Sequence, residues 1–463
     1  MTLIKSISGI SGTIGGIVGD NLTPIDAVKF ASAYGAWVKQ QRNKDNYRVV
    51  VGRDARISGE MIQNLVMNTL VGLGIHVIDL GLSTTPTVEV AVPMEHADGG
   101  IILTASHNPK QWNALKLLNS DGEFLNADEG ITILELAESN TITFSDVDSL
   151  GKITKNQAYF DLHIDEILAL PLVNKRAIEN ANFKVVVDGV NSTGGIAIPL
   201  LLDRLGVHAV KLYCDPTGDF PHNPEPLKEH LSDLSKMVVK EHADFGIVVD
   251  PDVDRLAFMD EHGEMFGEEY TLVACADYVL SHTKGNTVSN MSSTRALRDV
   301  TEKYGGTYEA SAVGEVNVVE LMKANKAVIG GEGNGGIIYP ELHYGRDALV
   351  GVALFLSLLA EKNCTVSKLR KGYPSYFMSK KKIELTPELD VDKILKRIEE
   401  KYSDENITTI DGVKIDFSEN WVHLRKSNTE PIIRIYTEAK SQTEADDLAD
   451  KIINEINEVA KIQ

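Results

Sequence analysis

Asp250, Asp252 and Asp254 fall within five residues, in the run DPDVDR. On an extended chain they share one face, and in a turn they converge. Three carboxylates that close repel one another, so one must take up a proton or stay hydrated unless a hard divalent cation offsets their charge. Mg²⁺ is the expected ion, because a few carboxylates suffice to hold it and leave positions for water or a phosphate oxygen. A calcium loop would need a glycine and a distal glutamate at fixed positions, and both are missing. The alternative without chemistry is a solvated acidic turn.

Three further stretches carry reactive or ligand-binding types. TASHNP (104–109) ends an apolar run and offers Ser106 beside His107. Adjacency does not make these two a nucleophile and its base, and no G-x-S-x-G elbow is present, so a plain turn stays open. A phosphorylated Ser106 would be more useful: its oxygens could complete a Mg²⁺ shell, and its phosphoryl group could pass to a sugar hydroxyl. Lys116 downstream is a candidate proton carrier or charge stabiliser, although a surface lysine is the commoner fate. GEGNGG (331–336) does not match G-x-G-x-x-G. Its glycines would instead let backbone approach a ligand while Glu332 and Asn334 meet hydroxyl groups; a flexible loop fits the same residues. RKSNTEPIIR (425–434) gathers Arg425, Lys426 and Arg434, with Ser427, Asn428 and Thr429 as neutral donors. Guanidinium forks and successive loop N–H groups suit a phosphate, and a polar hairpin is the alternative.

The elements around these stretches repeat. In the first segment the strands RVVVG, IHVIDLG and GGIILTA alternate with helical patterns and end at SHNP. FKVVVDG, HAVKLYC and DFGIVVD do the same and end at DPDVDR; NTVSNMS, TYEAS and KAVIGG end at GEGNGG. Ligands of open α/β sheets bind beyond the carboxyl ends of the strands, so three equivalent loops could meet in one cleft. After KGYPSYF the pattern changes to α+β, closing on a helix that opens at SQTE, where Ser441 and Glu444 can form a capping box. Leu448, Ile452, Ile456 and Val459 mark the buried face of that helix. The expected class is α/β: three similar β-α-β-α-β mixed-sheet domains (1–153, 154–257, 258–372) and a C-terminal α+β domain (373–463) around a central cleft.

Composition narrows the partners. The 463 residues carry 43% apolar and 24% charged side chains, as a folded globular chain does. A net charge of −21 argues against nucleic acid or an anionic membrane, and requires a local basic pocket for any phosphorylated substrate. Cys214, Cys275 and Cys364 are odd in number and far apart, which excludes a disulfide framework or a CxxC metal site and fits a reducing cytosol. No stretch has the apolar length of a signal peptide or membrane span, so a cytoplasmic location is expected.

Six stretches in order, GRDARISG, TASHNP, FPHNPEP, DFGIVVDPDVDR, GEGNGG and RKSNTEP, resemble the markers of the α-D-phosphohexomutase superfamily across essentially the whole chain. This superfamily includes phosphoglucomutases, phosphomannomutases and phosphoglucosamine mutases. The resemblance implies that Ser106 carries a phosphoryl group and that Asp250, Asp252 and Asp254 bind Mg²⁺ together with it. It also implies that Glu332 and Asn334 hold sugar hydroxyls and that Arg425, Ser427, Asn428, Thr429 and Arg434 grip the phosphate that is not reacting. Arg255, which ends DPDVDR, joins the substrate-binding set, and His107 is a positioning or phosphate-contacting residue. A hexose 1,6-bisphosphate would be the phosphorylating activator.

Three departures stand out: Ser11 in GISG where the family often has arginine, Ala114 in NALK where it has glycine, and Gly336 where it has histidine. Acid–base work would then fall to Lys116 or another group. GEGNGG and SGTIGG look like the phosphoglucosamine mutase branch of archaea and some bacteria, which implies glucosamine 6-phosphate and glucosamine 1-phosphate as the reactants. Glucose or mannose phosphates are the nearest alternative; a sugar-phosphate phosphatase or a silent sensor lies further away.

Overall fold

Short runs such as Val49–Val51 and Ile101–Leu103 are apolar on consecutive positions, and all six residues are fully buried. That pattern belongs to strands covered on both faces. In the computed structural model, which describes residues 2–6, 9–41, 44–139, 141–384, 390–426 and 432–460, these runs are the central strands of three sheets flanked by helices.

The sheets share one plan. In the first, strands Tyr47–Arg53, Ile75–Leu82 and Gly99–Leu103 are parallel, and Trp112–Leu118 returns antiparallel beside Gly99–Leu103. In the second, Lys184–Asp188, His208–Leu212 and Phe245–Val249 are parallel, with Leu256–Met259 as the antiparallel return. In the third, Asn286–Asn290, Tyr308–Ser311 and Ala327–Glu332 are parallel, with Gly336–Ile338 returning. TASHNP, DPDVDR and GEGNGG therefore occupy the same connection in each sheet, between the third parallel strand and its antiparallel neighbour. The return strand makes each sheet mixed. The first sheet is extended by Gly9–Thr13 and Ile4–Ser6 on one edge and by Ile153–Lys155, which spans the expected 153/154 junction, on the other.

The second and third units share a core. Phe258 stacks on Phe355 with ring centroids 3.7 Å apart, and Phe245 and Phe266 pack edge-on against Phe355. Phe355 lies on helix Ala348–Lys362, buried continuously from Ala348 to Leu359 and thus apolar all round. The last domain is an antiparallel five-stranded sheet covered by helices Val391–Lys401 and Gln442–Ala460, with Ile394, Ile398, Ile452 and Ile456 in its core. Leu448 and Val459 pack at the edge of that core, and Ser441 Oγ accepts from Glu444 N at 3.2 Å. Among the described residues, no helix is long and apolar enough to cross a membrane.

Candidate active site

TASHNP is held as a turn by a buried cation. Ser106 adopts the left-handed φ of +48°, which few non-glycine residues occupy without support. Thr104 Oγ1 accepts from Ser106 N at 2.9 Å and donates to Asp54 Oδ2 at 2.7 Å. Arg56, 1% exposed, binds Asp54 through Nε at 2.9 Å. Its Nη atoms donate to the carbonyls of Asn108 at 2.8 Å, Pro109 at 2.8 Å, Trp112 at 3.1 Å, and Ser106. Asp54 neutralises the guanidinium, so neither charge is buried alone. Phe220, from FPHNPEP in the second domain, lies over that guanidinium at 5.1 Å. GRDARISG and FPHNPEP thus have a physical role that their spacing alone did not disclose.

The turn delivers Ser106 Oγ to Asp250 Oδ2, to which it donates at 2.6 Å across the boundary of two domains. Asp250, Asp252 and Asp254 are all fully buried, and one oxygen from each lies within 4.8 Å of the other two. Four groups converge on them. Thr85 Oγ1 and Lys116 Nζ donate to Asp252 Oδ2 at 2.6 and 2.7 Å; Arg346 Nη2 donates to Asp254 Oδ2 at 2.7 Å; Arg255 N donates to Asp250 Oδ1 at 3.1 Å. Asp252 Oδ1 and Asp254 Oδ1 are left buried with no hydrogen-bond partner. Such oxygens are costly unless something else satisfies them, and a hard cation fits both the oxygen donors and the surplus of charge.

Titration follows from this crowding. Burial, then repulsion from Asp254 and Asp252, pushes the Asp250 carboxyl well above its ordinary range. Burial acts the same way on Asp254, but Arg346, Lys116 and Arg255 overcome it and hold that carboxyl low. Burial works against the Lys116 ammonium, yet Asp252 and Asp254 keep its pKa above that of an ordinary lysine. His107 Nδ1 stands 3.4 Å from Ser106 Oγ. Burial, and then the Arg255 charge, lower its pKa from 6.5 to about 3, so the ring is neutral near pH 7.

Arg346, unmarked by any motif, organises the third loop. It donates to Asp254, to Glu315 Oε2 at 3.0 Å and to Glu332 Oε2 at 2.8 Å. Glu332 Oε1 also accepts from Asn290 Nδ2 at 2.7 Å. A Cβ on Gly336 would lie 2.3 Å from Arg346 Cδ, so the missing side chain at 336 makes room for this arginine. Asn334 Oδ1 accepts from Gly336 N at 3.2 Å. Lys116, Arg255, Glu315, Glu332, Asn334 and Arg346 line a common cavity of about 530 Å³, of ordinary size for a small ligand. Ser11 sits in strand Gly9–Thr13 opposite Ala114.

The last domain contributes less directly. Arg425 and Arg434 are register partners on neighbouring strands; Arg434 is exposed, and Arg425 Nε donates to Asp411 Oδ2 at 2.8 Å. Neither is among the described residues lining the cavity. Ser427, Asn428 and Thr429 lie outside the described residues. Sequence reasoning missed Arg346, Thr85, Arg56 and Glu315, whose importance rests on long-range contacts; only Arg56 carried a signal, its place in GRDARISG.

Family models for the phosphoglucomutase/phosphomannomutase alpha/beta/alpha domains I, II and III match residues 5–143, 161–263 and 267–376, and that for the C-terminal domain matches 377–455. A phosphoglucomutase/phosphomannomutase of Thermococcus kodakarensis is 35% identical over 457 residues, covering 97% of this chain and 99% of that protein. A phosphoglucosamine/phosphogalactosamine mutase of Sulfurisphaera tokodaii is 32% identical over 456 residues, covering 96% and 97%. The crystal structure of a phosphoglucomutase/phosphomannomutase family protein from Burkholderia thailandensis superposes with a TM-score of 0.84 at 24% identity, over 99% of this chain and 97% of that one, which supports the shared four-domain fold. The chain belongs to the phosphoglucomutase/phosphomannomutase family and is a phosphohexomutase.

Proposed function

We propose that this phosphohexomutase interconverts glucosamine 6-phosphate and glucosamine 1-phosphate through phospho-Ser106 and a bound bisphosphate. The observation that carries the reading is Ser106 Oγ, 2.6 Å from Asp250, at the edge of a carboxylate cluster with two unsatisfied oxygens. Asp250, Asp252 and Asp254, with an oxygen of phospho-Ser106, would hold Mg²⁺. When bound, that ion supplies positive charge to the phosphoryl oxygens.

The phosphoryl group leaves Ser106 Oγ and joins the free hydroxyl oxygen of the monophosphate, giving a bisphosphate; the proton that hydroxyl loses is matched by the one Ser106 Oγ takes up. The bisphosphate turns in the cavity and returns its other phosphoryl group to Ser106. Lys116 is kept as an ammonium by Asp252 and Asp254, so it acts as a charge stabiliser and as a proton donor to the departing oxygen. Arg56 fixes the serine turn, and His107 contacts the phosphoryl group. Glu332 and Asn334 read hydroxyls, Arg255 faces the cavity, and Arg425, Ser427, Asn428, Thr429 and Arg434 take the distal phosphate. Glu315, Glu320 and Glu332 lie on the cavity wall and offer carboxylates to a sugar ammonium at C2, while Lys116, Arg255 and Arg346 offer cations to its phosphate.

Two measurements test this. Intact mass after incubation with a hexose 1,6-bisphosphate should show one added phosphoryl group, absent from Ser106→Ala. Turnover of the 6-phosphates of glucosamine, glucose and mannose should favour glucosamine, and a preference of about tenfold for either other sugar overturns the substrate assignment.

A further inference from the structure

A second cluster of ligating side chains lies where three domains meet, apart from the aspartate cluster. His163 comes from helix Tyr159–Ala169 and is fully buried; His343 and Asp347 come from the connection into helix Ala348–Lys362. Both imidazoles present Nε2 to the same atom, Asp347 Oδ2, at 3.0 Å from His163 and 3.4 Å from His343. The rings meet nearly at right angles, at 80°. The three ligand atoms lie within 4.8 Å of one another. We infer that His163, His343 and Asp347 form a second metal site, for a borderline divalent cation of the Zn²⁺ class.

The spacing fits. Metal–ligand bonds of about 2.0–2.1 Å in a tetrahedral site set neighbouring ligand atoms roughly 3.3 Å apart. Two imidazole nitrogens and one carboxylate oxygen select Zn²⁺, Co²⁺ or Fe²⁺ over Mg²⁺, which prefers oxygen donors alone. Asp347 divides its oxygens: Oδ1 accepts from Leu349 N at 2.8 Å and Val350 N at 3.3 Å, capping the helix, and Oδ2 faces the two rings.

The surrounding shell is what metal-bound imidazoles require on their far nitrogens. His163 Nδ1 lies 3.0 Å from Thr87 Oγ1, which is itself 2.6 Å from Thr84 Oγ1. His343 Nδ1 faces Glu89 Oε2 at 3.5 Å. Glu89 is only 1% exposed, and neither of its carboxylate oxygens, nor His343 Nδ1, has a hydrogen-bond partner. A cation on His343 Nε2 forces the ring proton onto Nδ1, where it points at Glu89 and satisfies both groups. Gly345 makes room for that carboxylate, since a Cβ there would lie 2.0 Å from Glu89 Oε2. The rival arrangement is a His343 imidazolium held between Asp347 and Glu89 with no metal.

The location gives the ion a structural role. Helix Thr85–Met94, which supplies Thr87 and Glu89, also supplies Thr85 to Asp252, and Arg346, next to Asp347, grips Asp254. A cation here ties together the elements that hold two of the three clustered aspartates.

The test uses the full-length chain, stripped with a chelator and supplied with excess Mg²⁺ to saturate the aspartate cluster. Titration with Co²⁺ should develop, at one equivalent, the visible bands of a four- or five-coordinate nitrogen–oxygen site. The bands should persist in Asp252→Asn and vanish in His343→Gln, and Glu89→Gln should weaken Co²⁺ binding about 10- to 100-fold. Because His163→Ala threatens folding, the partly exposed His343 is the residue to change, with circular dichroism confirming the fold. Zn²⁺ should raise the Tm of the wild type and leave that of His343→Gln unchanged. Absence of the bands in wild type, bands unaltered by His343→Gln, or His343 resonances that titrate as an imidazolium regardless of added metal would overturn the site.

Discussion

Asp252 shows how far a residue's chemistry depends on its company. One of its oxygens takes Thr85 and Lys116, and the other has no partner. Asp252→Asn relieves like-charge repulsion but takes a partner from the buried Lys116 ammonium, so the Tm should shift little while Mg²⁺-dependent turnover falls by 100-fold or more; an unchanged Mg²⁺ dependence removes the metal assignment. His107 gives a pH prediction. Its ring holds a proton in the unfolded chain up to about 6.5 but in the fold only to about 3. Between those values the unfolded state binds more protons, so this group makes stability rise with pH across that window. His107→Gln should flatten that rise in urea unfolding of the unphosphorylated, metal-free protein measured from pH 4 to 7. Ser106 and the three aspartates stood out by type and spacing, although a plain turn and a solvated acidic turn stayed open for them, and the structure brings the four together. Arg346 and Thr85 did not stand out, because an isolated arginine or threonine acquires a role only from neighbours distant in the chain.

At the scale of elements, the repeat was legible through strand order, since continuous apolar runs mark buried parallel strands whatever their exact residues. The return strands were harder to see: Gly336–Ile338 and Leu256–Met259 span three and four residues, too few for a period to register. Yet they convert each loop into a tight reversal that aims its side chains out of the sheet. The GEGNGG reversal has a specific steric requirement. Gly335 has a φ of +90°, and Gly336 leaves its Cβ space to Arg346. Gly336→Ala should therefore displace Arg346 from Asp254, Glu315 and Glu332 and lower kcat/KM by about tenfold or more, with the aliphatic part of the arginine as the group that must move. Retention of full kcat/KM, with Arg346 unmoved in a structure of the variant, would show that the site does not depend on this packing.

The whole molecule joins these elements through very different contacts. The second and third domains share a phenylalanine core, and close-packed aromatics resist shear. The fourth is attached by polar contacts: Lys414 Nζ donates to Met291 O at 2.9 Å, Ser292 Oγ lies 2.9 Å from His423 Nδ1, and Arg295 N donates to Glu438 Oε1 at 3.1 Å. Composition forecast a local cation pocket within a chain of −21, but could not say how its arginines are set relative to the other domains. Asp411 does this for Arg425. Its Oδ2 accepts from Arg425 Nε at 2.8 Å and from Val313 N, in the third domain, at 2.9 Å, so one carboxylate orients the guanidinium and anchors it near GEGNGG, whose Glu332 Oε1 accepts from Gly314 N at 3.3 Å. An orienting residue acts on binding in ground and transition states alike, which raises KM more than it lowers kcat. For Asp411→Ala the expected result is a severalfold rise in KM for the sugar monophosphate, steeper at high ionic strength, with kcat within about twofold of wild type and Ser106 still phosphorylated by the bisphosphate. A loss confined to kcat would instead place Arg425 among the groups that act only during transfer.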